Sequence, residues 1–420
     1  MLKKFAVENY RNFKDRIEID FGAVRNYSFN EQCVKDGVMN KVILVGKNGT
    51  GKTNLGLAIF DITAMLTDNI VQGKQIDLGS YINGTSKKKR ATFEYTFQRG
   101  DDILEYTYAK ADPYTIVHEE LKVNGNTVFA RTGRNGNYEG LKDIGADQLR
   151  MNIGDGRLSI LRYIYANTLQ NEESPVTFIV NFAEHMLYFK SDIDGNGFIG
   201  FKRNSEGIYD YIIKNNLIDD FRNKLKDCAD IDAKFGVIKM PGSPGIFVQK
   251  FENKDLPFDA IASTGTRVFA LFYYWYKQFN NVKFLYMDDF DAYYHYEMAE
   301  KIVKLVSSMD GFQTVFTSHN TSLLHNNLMR PDCCLTIENG SIRSFADSTG
   351  RELRQGHNLE KMYRNGEFDE KEHVVREIGI RRKCSRSSRI RGCPLLYYKK
   401  ANQYLYKSST DNLALQVFKW

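Results

Sequence analysis

A mixed, mainly parallel α/β sheet carrying an antiparallel β meander follows from three features of this chain. First, the β-branched run Val42–Val45 ends in a glycine-rich loop, and the helix-forming run Leu55–Phe60 follows it. Second, from Thr266 onward helical and apolar strand patterns alternate: a helix over 266–279, a strand over 283–287, a helix over 296–308, a strand over 313–317 and a strand pair near Leu335 and Ile342. Third, residues 90–131 break into short β runs separated by the turns Gly100-Asp101 and Asn124-Gly125-Asn126, which is the pattern of a meander.

The remaining elements follow in order. Phe5–Tyr10 and Ile17–Phe21 flank a polar turn and predict a hairpin, and residues 22–40 read as a polar connection. Apolar spacing extends the helix after the glycine loop from Asn54 to about Asp68. The meander strands are 92–98, 103–109, 115–123 and 127–130, and the glycine-rich stretch 132–156 reads as irregular. Helices are expected over 158–166, 176–189 and 208–228. The loop Ser191–Gly200 between the last two lacks the closing glutamate of a calcium loop and reads as a plain turn. Two short strands around Ile238 and Phe247 return the chain to a core.

At 420 residues, 42% of them hydrophobic, the chain can bury a large core and carry a second subdomain. Its six cysteines show no C-x-x-C pair, which argues against zinc and a secreted disulfide framework and for a reduced, cytoplasmic setting. The longest aromatic-aliphatic run, Val268–Tyr276, is too short to span a bilayer. The net charge of +6 is concentrated at one end: residues 376–420 hold eleven Lys and Arg against two acids, leaving the remainder slightly acidic. The basic cluster Lys87–Arg90 reads as a solvated turn.

Gly46–Thr53 fits G-x-x-x-x-G-K-[ST], the loop whose backbone amides cradle phosphates. Lys52 can reach the terminal phosphates and Thr53 can offer its hydroxyl to Mg²⁺, so a nucleoside triphosphate is the expected ligand. The strand 283–287 runs into Asp288 and Asp289. A carboxylate at such a strand tip suits a metal-water shell, and the next one suits the attacking water. Ser263-Thr264-Gly265-Thr266 opens a helix with hydroxyls and free amides, and His319 closes the following strand.

The ordered segments NYRNFKD, GKNGTGKTN, STGTR, FLYMDDFDAYYH, FTSHNTSLL and NLEKMYRNGEF, over residues 1–370, resemble the ABC-class ATPases of the RecF/SMC/OLD type. The resemblance is greatest to the stand-alone AAA-labelled ATPases of bacterial anti-phage systems, of the AbiL/RloA-like, PARIS AriA and Septu PtuA type. It implies a P-loop NTPase fold of ABC-ATPase type with an inserted helical subdomain. The implied division is an ATPase lobe over 1–156, a helical insertion over 157–235, a second ATPase lobe over 236–370 and a basic tail over 371–420.

The same resemblance implies that Gly46, Lys47, Asn48, Gly49, Thr50, Gly51, Lys52, Thr53 and Asn54 hold ATP, with Thr53 and Asp288 on Mg²⁺. It gives Lys52, Asp289 and His319 catalytic roles, Asp289 standing where the family has glutamate and His319 sensing the terminal phosphate. Ser263, Thr264, Gly265 and Thr266 would form the signature that contacts nucleotide in a partner, Asp291 would lie in the D-loop, and Gln98 is a candidate for the family's Q-loop glutamine. ATP hydrolysis, a homodimer or higher homo-oligomer, no membrane role and a separate effector protein in trans follow as expectations. Three alternatives stay open: a RecF-like DNA-repair ATPase, a nucleotide-bound scaffold that hardly turns over, and a nucleic-acid-binding role for the arginine- and tyrosine-containing tail.

Overall fold

Burial alternates strictly along Ala91–Gln98, as it must in a strand with one face on a core, whereas Lys41–Val45, Phe284–Asp288 and Gln313–Ser318 are buried throughout. These two patterns build the two large sheets of the computed structural model, which describes residues 1–67, 80–151, 153, 156–169, 173–190, 197–199 and 207–369. The chain divides into two units, Met1–Asp369 and Glu370–Trp420, and the second lies outside the described residues, as does most of the turn predicted over 191–200.

β1 (Leu2–Glu8) and β2 (Ile17–Asp20) form the predicted hairpin. A two-residue pair, β3 (Val34–Lys35) and β4 (Val38–Met39), interrupts the expected connection and leads into β5 (Lys41–Val45). α1 (Lys52–Ile59) and α2 (Asp61–Leu66) replace the single predicted helix. The Asp61 carboxylate beginning α2 accepts hydrogen bonds from Tyr81 Oη (2.9 Å), Tyr108 Oη (2.9 Å) and Lys110 Nζ (2.7 Å), so the second segment is tied to the meander. The meander is β6 (Ala91–Arg99), β7 (Asp102–Lys110), β8 (Ile116–Val123), β9 (Asn126–Thr132) and β10 (Asn135–Asn137).

α3 (Ile160–Asn167) and α4 (Pro175–Glu184) follow, each capped by a serine side chain, Ser159 and Ser174. The helix expected over 176–189 is corrected here. It stops at Glu184, and β11 (Met186–Lys190) is a buried strand beside which β12 (Gly197–Ile199) pairs. A short apolar run reads alike as buried strand or buried helix, so periodicity could not separate them. The helix expected over 208–228 is likewise two, α5 (Ile208–Lys214) and α6 (Ile218–Ala229), broken where Asn216 takes φ 55°. β13 (Lys234–Ile238), β14 (Ile246–Lys250) and β15 (Asp255–Pro257) form their own small antiparallel sheet rather than joining a larger one. Then come α7 (Phe258–Ile261), α8 (Thr264–Tyr276), β16 (Phe284–Asp288), α9 (Tyr296–Ser307), β17 (Gln313–Ser318), β18 (Cys334–Glu338), β19 (Ser341–Ser344), α10 (Phe345–Ser348) and α11 (Leu359–Arg364).

The meander sheet runs β10-β9-β8-β7-β6-β1-β2, antiparallel throughout. The second sheet runs β12-β11-β16-β17-β5-β18-β19, with its five inner strands parallel and an antiparallel strand at each edge. α1 touches both. A Cβ on its Gly56 would lie 2.4 Å from the Tyr286 ring of β16, and Tyr95 Oη of β6 donates to the Ala58 and Ile59 carbonyls at 3.1 Å. This is an α/β fold in which the strand β17 separates β5 and β16, the two strands that carry the loop and the acids. Among the described residues, no helix is long and apolar enough to cross a membrane.

The start of α3 is held by a fully buried charge. Glu119 of β8 accepts from Ser159 Oγ (2.7 Å), Tyr106 Oη (2.9 Å), the Ile160 and Leu161 amides (2.8 and 3.1 Å) and Arg131 Nη2 (3.3 Å). Glu119→Ala removes the buried carboxylate that balances the Arg131 charge, and the expected loss is about 3–5 kcal/mol of unfolding free energy, read by urea denaturation.

Candidate functional site

The parallel strands end on one side of their sheet, where the ends of β5, β11, β16 and β17 lie side by side. In-register pairs place Val45 beside Ser318 and Asp288 beside Lys190, so the glycine loop after β5, the acids after β16 and the His319 turn after β17 share one crevice. Ligands of open parallel sheets bind at such carboxyl ends.

The loop itself turns through Gly49 (φ 80°) and Gly51 (φ 107°), a backbone that L side chains rarely adopt. Gly51 also has no room for a side chain, since a Cβ there would lie 2.6 Å from Asn12 Nδ2 and 2.7 Å from the Phe13 ring. The N-terminal hairpin turn is thus packed on the loop. Asn54 Nδ2 donates to Asn12 Oδ1 at 2.6 Å, and Thr50 Oγ1 donates to the Lys47 carbonyl at 2.9 Å. A cavity of about 630 Å³ opens here between Asn12–Asp15, Lys47–Thr50 and the β18–β19 turn at Asn339-Gly340.

Lys52, the first residue of α1, is 5% exposed. Its Nζ donates to the Gly46 carbonyl (2.9 Å) and lies 2.9 Å from His319 Nε2. Burial holds its pKa below the usual lysine value, against the pull of Asp289, Asp288 and Asp291. Tyr286 Oη of β16 donates to the Lys52 carbonyl at 2.6 Å, fixing the first turn of α1 over the acid-bearing strand.

Next along α1, Thr53 Oγ1 donates to Asp288 Oδ2 at 2.8 Å, a contact between residues 235 apart in sequence. Asp288 is fully buried and also accepts from Tyr188 Oη (2.8 Å, Oδ2) and Thr317 Oγ1 (3.0 Å, Oδ1). A hydroxyl and one carboxylate oxygen meeting at a strand end fit a hard cation that draws its remaining ligands from phosphates and water. Mg²⁺ keeps several waters and takes few protein ligands, and the sparse pair Thr53 Oγ1 and Asp288 Oδ2 suits such an ion.

Asp289 differs from its neighbour. Its φ of 44° lies in the left-handed region, uncommon for a side chain-bearing residue. Its amide donates to Thr317 Oγ1 (2.8 Å), while its buried Oδ1 has no hydrogen-bond partner and sits 3.5 Å from His319 Nε2. Burial, and then the Asp288 charge, push its pKa up, opposed by Lys52, His319 and Lys190. Asp291 accepts from Ser318 Oγ at 2.7 Å and is likewise pushed up by burial.

The structure therefore brings together Lys52, Thr53, Asp288, Asp289, Asp291 and His319. It does not bring in Ser263–Thr266. Ser263 caps α8, its Oγ accepting from the Thr266 amide (3.2 Å) and lying 2.8 Å from Thr266 Oγ1, and among the described residues no hydrogen bond joins this segment to the loop. Gln98 as a Q-loop candidate is corrected. It is the last residue but one of β6, with its Nε2 on the Asp36 carbonyl (3.0 Å), and its neighbour Phe97 pairs with Leu2, whose amide donates to Gln313 at the start of β17. That is the amino end of the parallel strands, opposite the loop. Sequence reasoning gave no role to Thr317, Tyr188 or Lys190. Thr317 lay within the quoted segment FTSHNTSLL, whereas Tyr188 was hidden inside the supposed helix 176–189 and Lys190 directly followed it.

Residues 41–325 match the model of the family described as "AAA domain, putative AbiEii toxin, Type IV TA system". Similar solved structures include an SmcHead bound to the C-winged helix domain of ScpA, 15% identical over 81% of this chain and 96% of that one, with a TM-score of 0.42. The SMC head domain from Thermotoga maritima is 15% identical over 81% and 97% of the two chains, with a TM-score of 0.37. An Smc head domain with an extended coiled coil, bound to the C-terminal domain of ScpA derived from Pyrococcus furiosus, is 12% identical over 90% and 99%, with a TM-score of 0.43. Among curated proteins none matches.

Thr317 ties both acids to β17, and Thr317→Val leaves Asp288 Oδ1 and the Asp289 amide each short of a partner. The expected cost is about 1–3 kcal/mol, measured as a lowered midpoint of denaturant unfolding.

Proposed function

Since this chain belongs to that AAA-domain family, which its model matches over residues 41–325, we propose that it binds ATP with Mg²⁺ at the crevice described and hydrolyses it. The observation that carries the reading is the Thr53–Asp288 contact at 2.8 Å, which joins the end of the glycine loop to the strand-end acids. Gly46–Asn54 surround the phosphates, and Lys52 exchanges the Gly46 carbonyl for a phosphate oxygen. Thr53 and Asp288 would hold Mg²⁺, whose chemistry when bound is to draw charge from the terminal phosphates. Asp289 takes the proton of the water that attacks the terminal phosphorus as the bridge to the β-phosphate breaks, and His319 lies within reach of both Asp289 and Lys52. An aspartate is one methylene shorter than a glutamate, which favours slow turnover.

The signature segment Ser263–Thr266 completes this reading in trans. It has no hydrogen bond to the loop of its own chain among the described residues, yet offers a serine-capped helix start suited to an anion. Two copies would then exchange these segments across two nucleotides, and hydrolysis would release them. The family description names a type IV toxin–antitoxin system, which supports placing the chain in antiviral defence as a nucleotide-dependent sensor or scaffold controlling a separate effector in the cytoplasm.

Two substitutions test the reading. Lys52→Ala is expected to abolish binding of a fluorescent ATP analogue. Asp289→Ala is expected to retain binding, lower turnover by about 10²–10⁴-fold and elute as a dimer with ATP and Mg²⁺. Turnover equal to wild type in Asp289→Ala rejects the general-base role, and a monomer under those conditions rejects the exchange of signature segments.

A further inference from the structure

Lys190 has no part in the reading above, yet it stands at the same strand ends. It is the last residue of β11, in register with Asp288, and its Nζ lies 3.7 Å from Asp288 Oδ2. Strand alternation puts it on the same face as Tyr188, whose hydroxyl donates to that oxygen and whose ring is stacked on Tyr286 at 5.7 Å and 4°. That stacking fixes the strand end from which Lys190 projects.

The ammonium is loosely held. At 3.7 Å it is beyond hydrogen-bond length, and its side chain is 35% exposed beside a carboxylate that is 0% exposed. Asp288 already receives three hydroxyl donors, from Thr53, Tyr188 and Thr317, so it does not depend on Lys190 for hydrogen bonding. Among the described residues its ion-pair partner is Asp288, at a distance that leaves the four-carbon stem of the lysine room to turn. Lys52 lies on the β5 side of the acids and Lys190 on the β11 side, so two ammonium groups bracket them. A divalent cation on Asp288 would repel the ammonium, while the oxygens of a triphosphate beside the acids would attract it.

We infer that Lys190 is a ligand of the terminal phosphate, turning from Asp288 to the phosphate when ATP binds. The inference rests on the ATP-binding reading and concerns the terminal phosphate alone, since ADP offers nothing to replace it. The test is a titration of the full chain with fluorescent ATP and ADP analogues in Mg²⁺, giving a Kd for each with wild type, Lys190→Met and Lys190→Arg. Lys190→Met is expected to weaken ATP binding by about tenfold while ADP changes by less than about twofold, the size of a lost charge-assisted contact. Lys190→Arg, which keeps the charge and controls for folding, is expected to retain the wild-type ratio of the two constants. If wild type binds both nucleotides and Lys190→Met leaves the ratio unchanged, the inference is overturned and the ATP-binding reading stands. If wild type binds neither nucleotide, the reading itself fails and takes the inference with it, and that failure shows before any variant is compared.

Discussion

A single buried carboxylate sets the terms for this crevice. Asp288 is completely enclosed, and a buried charge without partners costs several kcal/mol, so the fold must deliver donors to it. They come from separate parts of the chain: Thr53 from α1, Tyr188 from β11 and Thr317 from β17. Satisfying one side chain therefore fixes the helix after the glycine loop, the neighbouring edge of the parallel sheet and the strand between loop and acids. The chemistry of the site and the stability of its surroundings rest on the same hydrogen bonds.

Asp289 shows the opposite economy. Thr317 Oγ1 accepts its amide and so helps hold the backbone in the left-handed region, while its own Oδ1 is left unpaired close to His319. Strained backbone and an orphaned buried oxygen at one and the same residue are features that stability alone does not reward. They make sense where a carboxylate must stay available to something that enters the crevice.

The parts legible in the amino-acid sequence were those whose chemistry is contiguous. Gly46–Thr53 carries its whole signal in one loop with its strand and helix attached, and Phe284–Asp289 ends a buried strand on two acids. The capping serine of α8 was readable for the same reason, because Ser263 and Thr266 are one helical turn apart. β11 was illegible because four buried residues in a row have no period to reveal, and with it Tyr188 and Lys190 were lost from the site. Gln98 was misplaced for a different reason: residue type says nothing about which end of a sheet a strand terminus will occupy, and only the pairing of Phe97 with Leu2 decides it. The interruptions at Phe60 and Asn216 depend on tertiary contacts and backbone geometry that an amphipathic pattern does not encode.

The charges of the crevice point to the kind of ligand it is made for. Burial lowers the pKa of Lys52 and raises those of Asp289 and Asp291, so both signs of charge are poorly solvated there. A plain anion would relieve the lysine and aggravate the acids, and a bare cation would do the reverse. A ligand bringing phosphate oxygens to Lys52 and a divalent ion to Asp288 would relieve both at once, as the proposed binding of ATP with Mg²⁺ would do. Lys52, held by the Gly46 carbonyl, and Asp288, held by Thr53, are the two groups between which such a ligand would divide its charges.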